Sequence, residues 1–558
     1  MIFIRNAKEL LAYTVIIFLF SHNILGKEKK DFKKSYFGSI LAGQIANYRN
    51  ETDIASEYFD YANKFNPKNK QIFNQSLMSL ILSGKVDEAI KKIEKYKLLS
   101  QEETYKSQIT DLLSFIKLVK ESKNSEALSY LANNNKILIT DKVKPILKAW
   151  LADNYEEAKI YLKETEYKGE GIALSNIYFH NLALLANFFD KKEEAFKAFN
   201  EGLKDLTLDK IRTLYFYSIF LNKNPQFKDE KKHLDKFYDK NPDHSFSKFI
   251  KKKYDETFII KRSKNGVSEL LYTLAETLYG QGMNDTSIAF AQISLYLNRD
   301  NSSSNYLLAE NYQLIGKKTT AIDSLKKIKL ESYLGWNAHL KISDLYADLK
   351  DFKKAKNYLL KLKSLESNSL DVYYKLGEQY HEQKEYKKAI SSFSTGINLL
   401  ENFNRSHWYI FYSRGMSYER SKMWKEAEKD FLFSLKLFPN QPLVLNYLGY
   451  SWIDFGTNLE KAERFIRRAI KLRPNDGYFI DSLGWAFYRM GDYKKAVYEL
   501  EKAVEIVPND PVINDHLGDA LWRAGYKNEA IFQWKRSLLY KPEEDLKNNI
   551  NYKLKKGL

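Results

Sequence analysis

The chain has 558 residues, no cysteine, only 23 glycines and 10 prolines. The length fits three or four globular units or one long repeat array; the sparse Gly and Pro argue against an all-β chain of tight turns, and the lack of Cys excludes disulfides, thiolate metal sites and thiol nucleophiles. The net charge is +18, yet 74 of the 89 cationic residues are Lys and 15 are Arg, and Tyr (40) and Phe (34) are abundant, so the excess reads first as A/T-rich codon usage and only second as a surface selected for an acidic partner.

At the N-terminus Arg5 and Lys8 precede the apolar run Leu10 to Phe20, followed by Ser21 to Gly26 and the charged stretch Lys27 to Lys34. Eleven apolar residues are short for a bilayer span and suit the h-region of a secretory signal. Gly26 fits the last residue before a cut, but Ile24 is bulky for the position two earlier. Three expectations therefore stand for residues 1–26: a cleaved signal peptide, an uncleaved membrane anchor, or, last, a buried segment with neither role. The first places the body in the periplasm or cell envelope. The second, through the lysines at 27–34, places it on the cytoplasmic side of the inner membrane.

Further along, the sequence repeats. Gly43, Ala55, Phe59, Ala62 and Pro67 make one unit, and Gly84, Ala89 and Ile93 the next. The pattern then decays, with Ala127, Ala158 and Ala195 in the same slot at uneven spacing. Lys251 to Lys253 and Arg262 to Gly266 read as a joint. Beyond it Ser287, Ala321, Ala355 and Ala389 recur every 34 residues. Leu448-Gly449, Leu483-Gly484 and Leu517-Gly518 repeat at 35 and 34, each followed by Ala462, Ala496 or Ala530 and by Pro474, Pro508 or Pro542. A small residue on each helix lets the pair approach closely, Gly491 and Gly525 supply a left-handed end to the first helix, and the prolines stop the second. At the tail, Leu546, Ile550 and Leu554 form one apolar stripe, suited to a helix that caps the array.

The unit Tyr373, Leu376-Gly377, Tyr380, Ala389, Phe393 resembles the tetratricopeptide repeat, two antiparallel helices in 34 residues. As a whole the chain resembles the exported tetratricopeptide-repeat proteins of Gram-negative bacteria. The resemblance implies an all-α, right-handed superhelical solenoid whose concave groove binds protein segments. The organisation expected is a signal or anchor at 1–26, divergent repeats at 27–262, about eight regular repeats at 263–544, and a capping helix at 545–558.

No catalytic constellation emerges. The eight histidines form no metal-binding or zincin spacing, no phosphate loop or nucleophile elbow occurs, and most carboxylates sit beside lysine in turns that recur with the repeat. The reading is a non-enzyme with no cofactor, no metal and no small-molecule substrate. A cytoplasmic-facing adaptor, or the regulatory subunit of a separate enzyme, stands as the second reading. Nucleic acid ranks last, because acidic residues accompany most lysines.

The first helix of each pair lines the groove that the resemblance implies, and residues offset from the core signature face it. In the last four units these are Tyr409, Tyr412, Met416 and Arg420; Asn446, Tyr450, Ile453 and Asp454; Asp481, Trp485, Tyr488 and Arg489; Asp515, Asp519, Trp522 and Arg523. Arg420, Arg489 and Arg523 occupy one repeat slot, with Asp454 in the unit between. In a lysine-writing chain, recurrent Arg implies a use for the planar guanidinium. Exposed Trp and Tyr beside Arg have the composition of binding hot spots. The competing account is that Arg489 pairs with Asp454 or Asp519 of a neighbouring unit and stiffens the array. Arg464, Arg467, Arg468 and Arg473 make a second cluster, on a second helix.

Overall fold

Helix ends fall where the sequence punctuates them. Phe438, Arg473 and Val507, each preceding a proline, leave the helical region at φ/ψ of −135°/83°, −139°/81° and −125°/71°. Asp351 and Asp492 accept from the backbone N–H groups of Lys354 and Lys495 at 3.1 and 3.2 Å and so cap the second helices of their pairs. Between the two helices of a pair one residue is left-handed. That residue is Gly456, Gly491 and Gly525 in three repeats, but Lys350, Lys384 and Lys422 in three others, at φ of 62°, 61° and 62°.

The computed structural model describes residues 35–99, 106–134, 137–164, 172–205, 210–241, 246–247 and 260–558. The leader, the lysines at 27–34 and Lys251–Lys253 lie outside them. The described residues are all-α: antiparallel helix pairs stacked as a tetratricopeptide-type solenoid, with no strand among them. They divide into two compact units, residues 1–335 and 336–558. The change in repeat regularity at 262/263 is a separate matter, because the pairs that follow it pack back into the first unit.

Among the described residues of the first unit six helix pairs precede residue 241 and two more, Ser263–Gly280 with Asn284–Leu297 and Ser302–Leu314 with Lys318–Leu325, follow. The irregularly spaced Ala127, Ala158 and Ala195 are all fully buried, so the packing slot survives where the rest of the signature has decayed. Helix Lys70–Leu82 packs on Asn284–Leu297, and Lys144–Leu151 on Ser263–Gly280. Hydrogen bonds tie these ends: Asn124 Nδ2 to Ser263 Oγ at 3.2 Å and the Tyr312 hydroxyl to the Leu82 carbonyl at 3.3 Å. At the centre the Arg212 guanidinium meets Glu269 at 2.5 and 2.8 Å and donates to the Tyr333 hydroxyl at 2.9 Å. Burial opposes the Glu269 charge, but Arg212 holds its carboxyl down at about 2.

The second unit holds six pairs, from Gly335–Asp348 with Phe352–Leu365 to Pro511–Arg523 with Lys527–Leu539, and then the single helix Glu544–Lys556. Ala427, Ala462, Ala496 and Ala530 have no exposed surface. Opposite them the glycines are obligatory. A Cβ on Gly449 would stand 2.8 Å from Ile466, and one on Gly518 2.5 Å from Trp534. The terminal helix buries Ile550 completely against the last pair, with Leu546 and Leu554 packed beside it.

Candidate functional site

Each first helix in the second unit carries two stripes. One holds Ile410, Leu448, Leu483 or Leu517 with the small residue that follows the leucine, and is buried. The other is offset by one residue and steps by four: Tyr412, Met416, Arg420; Asn446, Tyr450, Asp454; Asp481, Trp485, Arg489; Asp515, Asp519, Arg523. Four is close to one helical turn, so each set shares a face. One repeat later the stripe meets the next unit. Arg489 Nη1 lies 3.4 Å from Asp454 Oδ1, 35 residues away, and Tyr412 packs edge-on against Tyr447 at 5.7 Å.

The structure separates the expected residues into three groups. Arg420, Asp454, Arg489 and Arg523 are open to solvent. Tyr412, Met416, Asn446, Tyr450, Trp485, Tyr488 and Trp522 are half-buried between them, as is Tyr409. Asp481, Asp515 and Asp519 are buried, which corrects the expectation that they line an open groove. The reason is charge: each has found a cation from the next first-helix position. His516 Nδ1 lies 2.9 Å from Asp481, and Lys553 Nζ lies 2.7 to 2.9 Å from the carboxylate oxygens of Asp515 and Asp519. Ile453 is likewise in the core, with no exposure. His516 and Lys553 were missed as partners, although they follow Asp481 and Asp519 by about one repeat, a spacing readable in the sequence.

The face is aromatic and cationic in alternation. Trp485 stacks on Tyr488 (4.6 Å, 11°) and on His516 (4.2 Å, 17°), a three-ring pile. Trp522 leans on Trp534 at 5.3 Å and receives the C-terminal turn: a Cβ on Gly557 would come within 2.5 Å of it. Burial raises the hydroxyl pKa of Tyr412 to about 12 and that of Tyr450 further, so both stay neutral donors. The Tyr488 hydroxyl raises the Arg523 pKa, and Arg420, although burial works against its charge, is raised by Tyr447 and Glu419. Two polar atoms here are buried without a hydrogen-bond partner: Trp485 Nε1 and Asn446 Oδ1. The arrangement offers planar cations, ring faces and neutral hydroxyls to a ligand. The Arg464 cluster differs: Arg464 and Arg467 face Glu460 and Glu463 of their own helix at 4.0 and 2.8 Å, on an exposed surface.

A family model described as TPR repeat matches residues 484–525, and one described as Tetratricopeptide repeat matches 337–369. A TPR repeat-containing protein of Pseudomonas aeruginosa is 41% identical over 64 residues, 12% of this chain and 11% of that one, so the chain spans about a tenth of that relative. Among solved structures, a crystal structure of the APC/C hetero-tetramer Cut9–Hcn1 aligns over 98% of this chain and 99% of its own at 16% identity and TM-score 0.39. Yeast Tom70 aligns over 93% and 94% at 16% identity and TM-score 0.36. A tetratricopeptide repeat protein from Parabacteroides merdae covers 46% of this chain and 97% of its own, at 18% identity and TM-score 0.37.

Proposed function

We propose that this chain, which carries tetratricopeptide repeats at 337–369 and 484–525, is a protein-interaction scaffold that acts without catalysis, exported or tethered at a membrane, and holds a segment of a partner protein against the first helices of residues 408–523. The observation that carries this reading is the recurrence of solvent-open Arg at one repeat slot, Arg420, Arg489 and Arg523, beside half-buried rings. Guanidinium forks read carboxylates in two-point contacts, and Tyr and Trp supply apolar area at low entropic cost. The partner segment is therefore acidic with apolar side chains between its charges. The Arg489–Asp454 contact does not use up this face. It is a single exposed pair at 3.4 Å, of a kind worth about 0–1 kcal/mol.

Export is supported by the sequence of the leader: a basic start, an apolar run of eleven residues and Gly26. The partner, its identity and the side of the membrane follow from experiment. A photo-reactive phenylalanine analogue placed at Tyr450 should cross-link a protein in cells, and Arg489→Ala with Arg523→Ala should remove that product while circular dichroism stays unchanged. The same analogue at Tyr498, exposed on a second helix, should not yield it. Equal cross-linking from both positions, or a product indifferent to the Arg changes, refutes the groove. Protease digestion of a C-terminally tagged chain in spheroplasts but not in intact cells places the body in the periplasm; protection until lysis places it in the cytoplasm and refutes export.

A further inference from the structure

Charge in the second unit is sorted by side. Its first helices touch one another from pair to pair, Leu370–Glu382 on Trp408–Arg420, Pro442–Asp454 on Gly477–Arg489 and Gly477–Arg489 on Pro511–Arg523, so they form the inner side and the second helices the outer one. The six inner helices carry 6 Lys and Arg against 10 Asp and Glu, and the six outer helices 21 against 9. In the first unit the eight second helices among the described residues carry 13 against 16. A/T-rich codon usage writes lysine along the whole chain and cannot by itself place a net charge of +12 on one side of one unit. The sorting therefore needs a physical use, and a field of one sign acts on a partner of the other.

The excess comes from four outer helices: Phe352–Leu365, with five lysines and no acid, Tyr386–Asn398, Leu459–Leu472 and Lys527–Leu539. None of their cations is buried. On Leu459–Leu472 the five cations Lys461, Arg464, Arg467, Arg468 and Lys471 share two carboxylates, Glu460 and Glu463. Arg464 and Arg467 reach these at 4.0 and 2.8 Å, exposed pairs that leave the face positive, and Arg468 donates to the neutral Asn440 side chain. Among the cations stand exposed apolar side chains: Leu360 and Leu365, Leu472, Phe532 and Leu539. These side chains identify the anion. Leucine finds no partner on the sugar–phosphate edge of a nucleic acid, where most contacts go to phosphate. At a bilayer surface it sinks between headgroups, while the stems of lysine and arginine carry their charge to the phosphates. Charge shared among four helices of one side also suits a sheet of anions better than one acidic segment.

We propose that the outer side of residues 352–539 lies on an anionic bilayer surface, with helix Leu459–Leu472 in the contact, while the inner side stays free for the partner segment. Apolar side chains together with a basic surface are the two-signal combination that holds a protein at a membrane. Anionic headgroups attract the cations within about a Debye length, so the contact weakens with salt. The inference goes beyond the groove, and asks of the exported-or-tethered reading only that a bilayer be within reach.

The absence of cysteine makes the test direct. The full chain carrying Leu472→Cys, labelled with an environment-sensitive fluorophore, is mixed with vesicles of phosphatidylcholine with and without phosphatidylglycerol. A second chain carries the label at Ile160→Cys, a 61% exposed position on the second helix Tyr155–Lys163 of the first unit. The expected result is a blue shift at 472 that needs phosphatidylglycerol, is quenched by lipid-borne nitroxide and weakens with salt, with no change at 160. Arg464→Gln, Arg467→Gln and Arg468→Gln together should weaken that binding by about tenfold or more, since each cation near such a surface counts for about fivefold. Circular dichroism should stay unchanged; if the variant loses helicity, the wild-type label decides alone. A label at 472 that stays in water, whether or not the chain floats with the vesicles, overturns the proposal. So do equal shifts at 160 and 472, a shift indifferent to phosphatidylglycerol, and a folded variant that binds like the wild type. A blue shift without vesicles that grows with protein concentration gives the face to a second copy, and loss of vesicle binding to a DNA duplex at equal phosphate concentration gives it to nucleic acid; both overturn the bilayer. None of these outcomes bears on cross-linking at Tyr450, so failure here and failure of the groove are separable.

Discussion

Replacing Lys553 by alanine asks whether charge holds the last repeat together. Lys553 Nζ meets both carboxylates within 2.9 Å, and all three side chains are 6–7% exposed. Burial, and next the charge of Asp519, raise the Asp515 carboxyl above its ordinary range even with the lysine in place. Without the cation two like charges share one buried site. Breaking a buried pair from one side costs about 3–5 kcal/mol, or about a hundred- to several-thousand-fold in an opening equilibrium. Repeats in a solenoid lean only on their neighbours, so the loss should be local. Native-state hydrogen exchange at neutral pH should show protection falling by that factor in Pro511–Arg523 and Glu544–Lys556, with Gly335–Asp348 unchanged. A group with a raised folded pKa favours folding while protonated, so the variant should regain protection as pH falls through the raised Asp515 value. A loss below tenfold, a loss spread evenly through residues 336–558, or no recovery in acid would falsify the account.

Lys422→Gly should stabilise the second unit by about 0.5–1 kcal/mol, because Lys422 sits at φ 62° where neighbouring repeats use glycine; a lower urea midpoint would refute this. Arg212→Met should destabilise the first unit by about 3–5 kcal/mol by stranding buried Glu269, and Glu269→Met in the same chain should return most of it; urea unfolding followed through ring fluorescence decides. Glu269 ionises near 2 when folded, so the wild-type contribution is present above the ordinary carboxylate value of 4.5 and is lost as pH falls from there toward 2. Burial opposes the charge on His516, but Asp481 outweighs it and raises the His516 pKa above 6.5. Its stabilisation is present below 6.5 and fades as pH rises through the raised value. His516→Gln should flatten that slope in exchange rates of helix Pro511–Arg523, and an unchanged slope would count against the pair.

The repeat positions were legible because packing between two helices is local and periodic. Ala427, Ala462, Ala496 and Ala530, and the glycines opposite them, are dictated by the approach of one pair, and a pair spans fewer than 40 residues. The offset stripe was legible as a face, since its residues step by four. Which members of the stripe stay open was not read. Asp481, Asp515 and Asp519 look in sequence like Asp454, yet they are buried because His516 and Lys553 reach them one repeat later. The partner was one period away and so within reach of a pattern search; its geometry was not.

The all-α class, the pairing of helices and their stops are written locally, in small residues, prolines and left-handed turns that act over a few residues. The remaining contacts are long-range and come from folding as a whole. It brought Arg212 to Glu269 across 57 residues and packed Lys70–Leu82 onto Asn284–Leu297 across some two hundred. It also sealed the last helix pair with the buried Lys553. Such contacts depend on how many small inter-repeat rotations add up, and a rotation accumulated over many pairs is written at no single position of the chain.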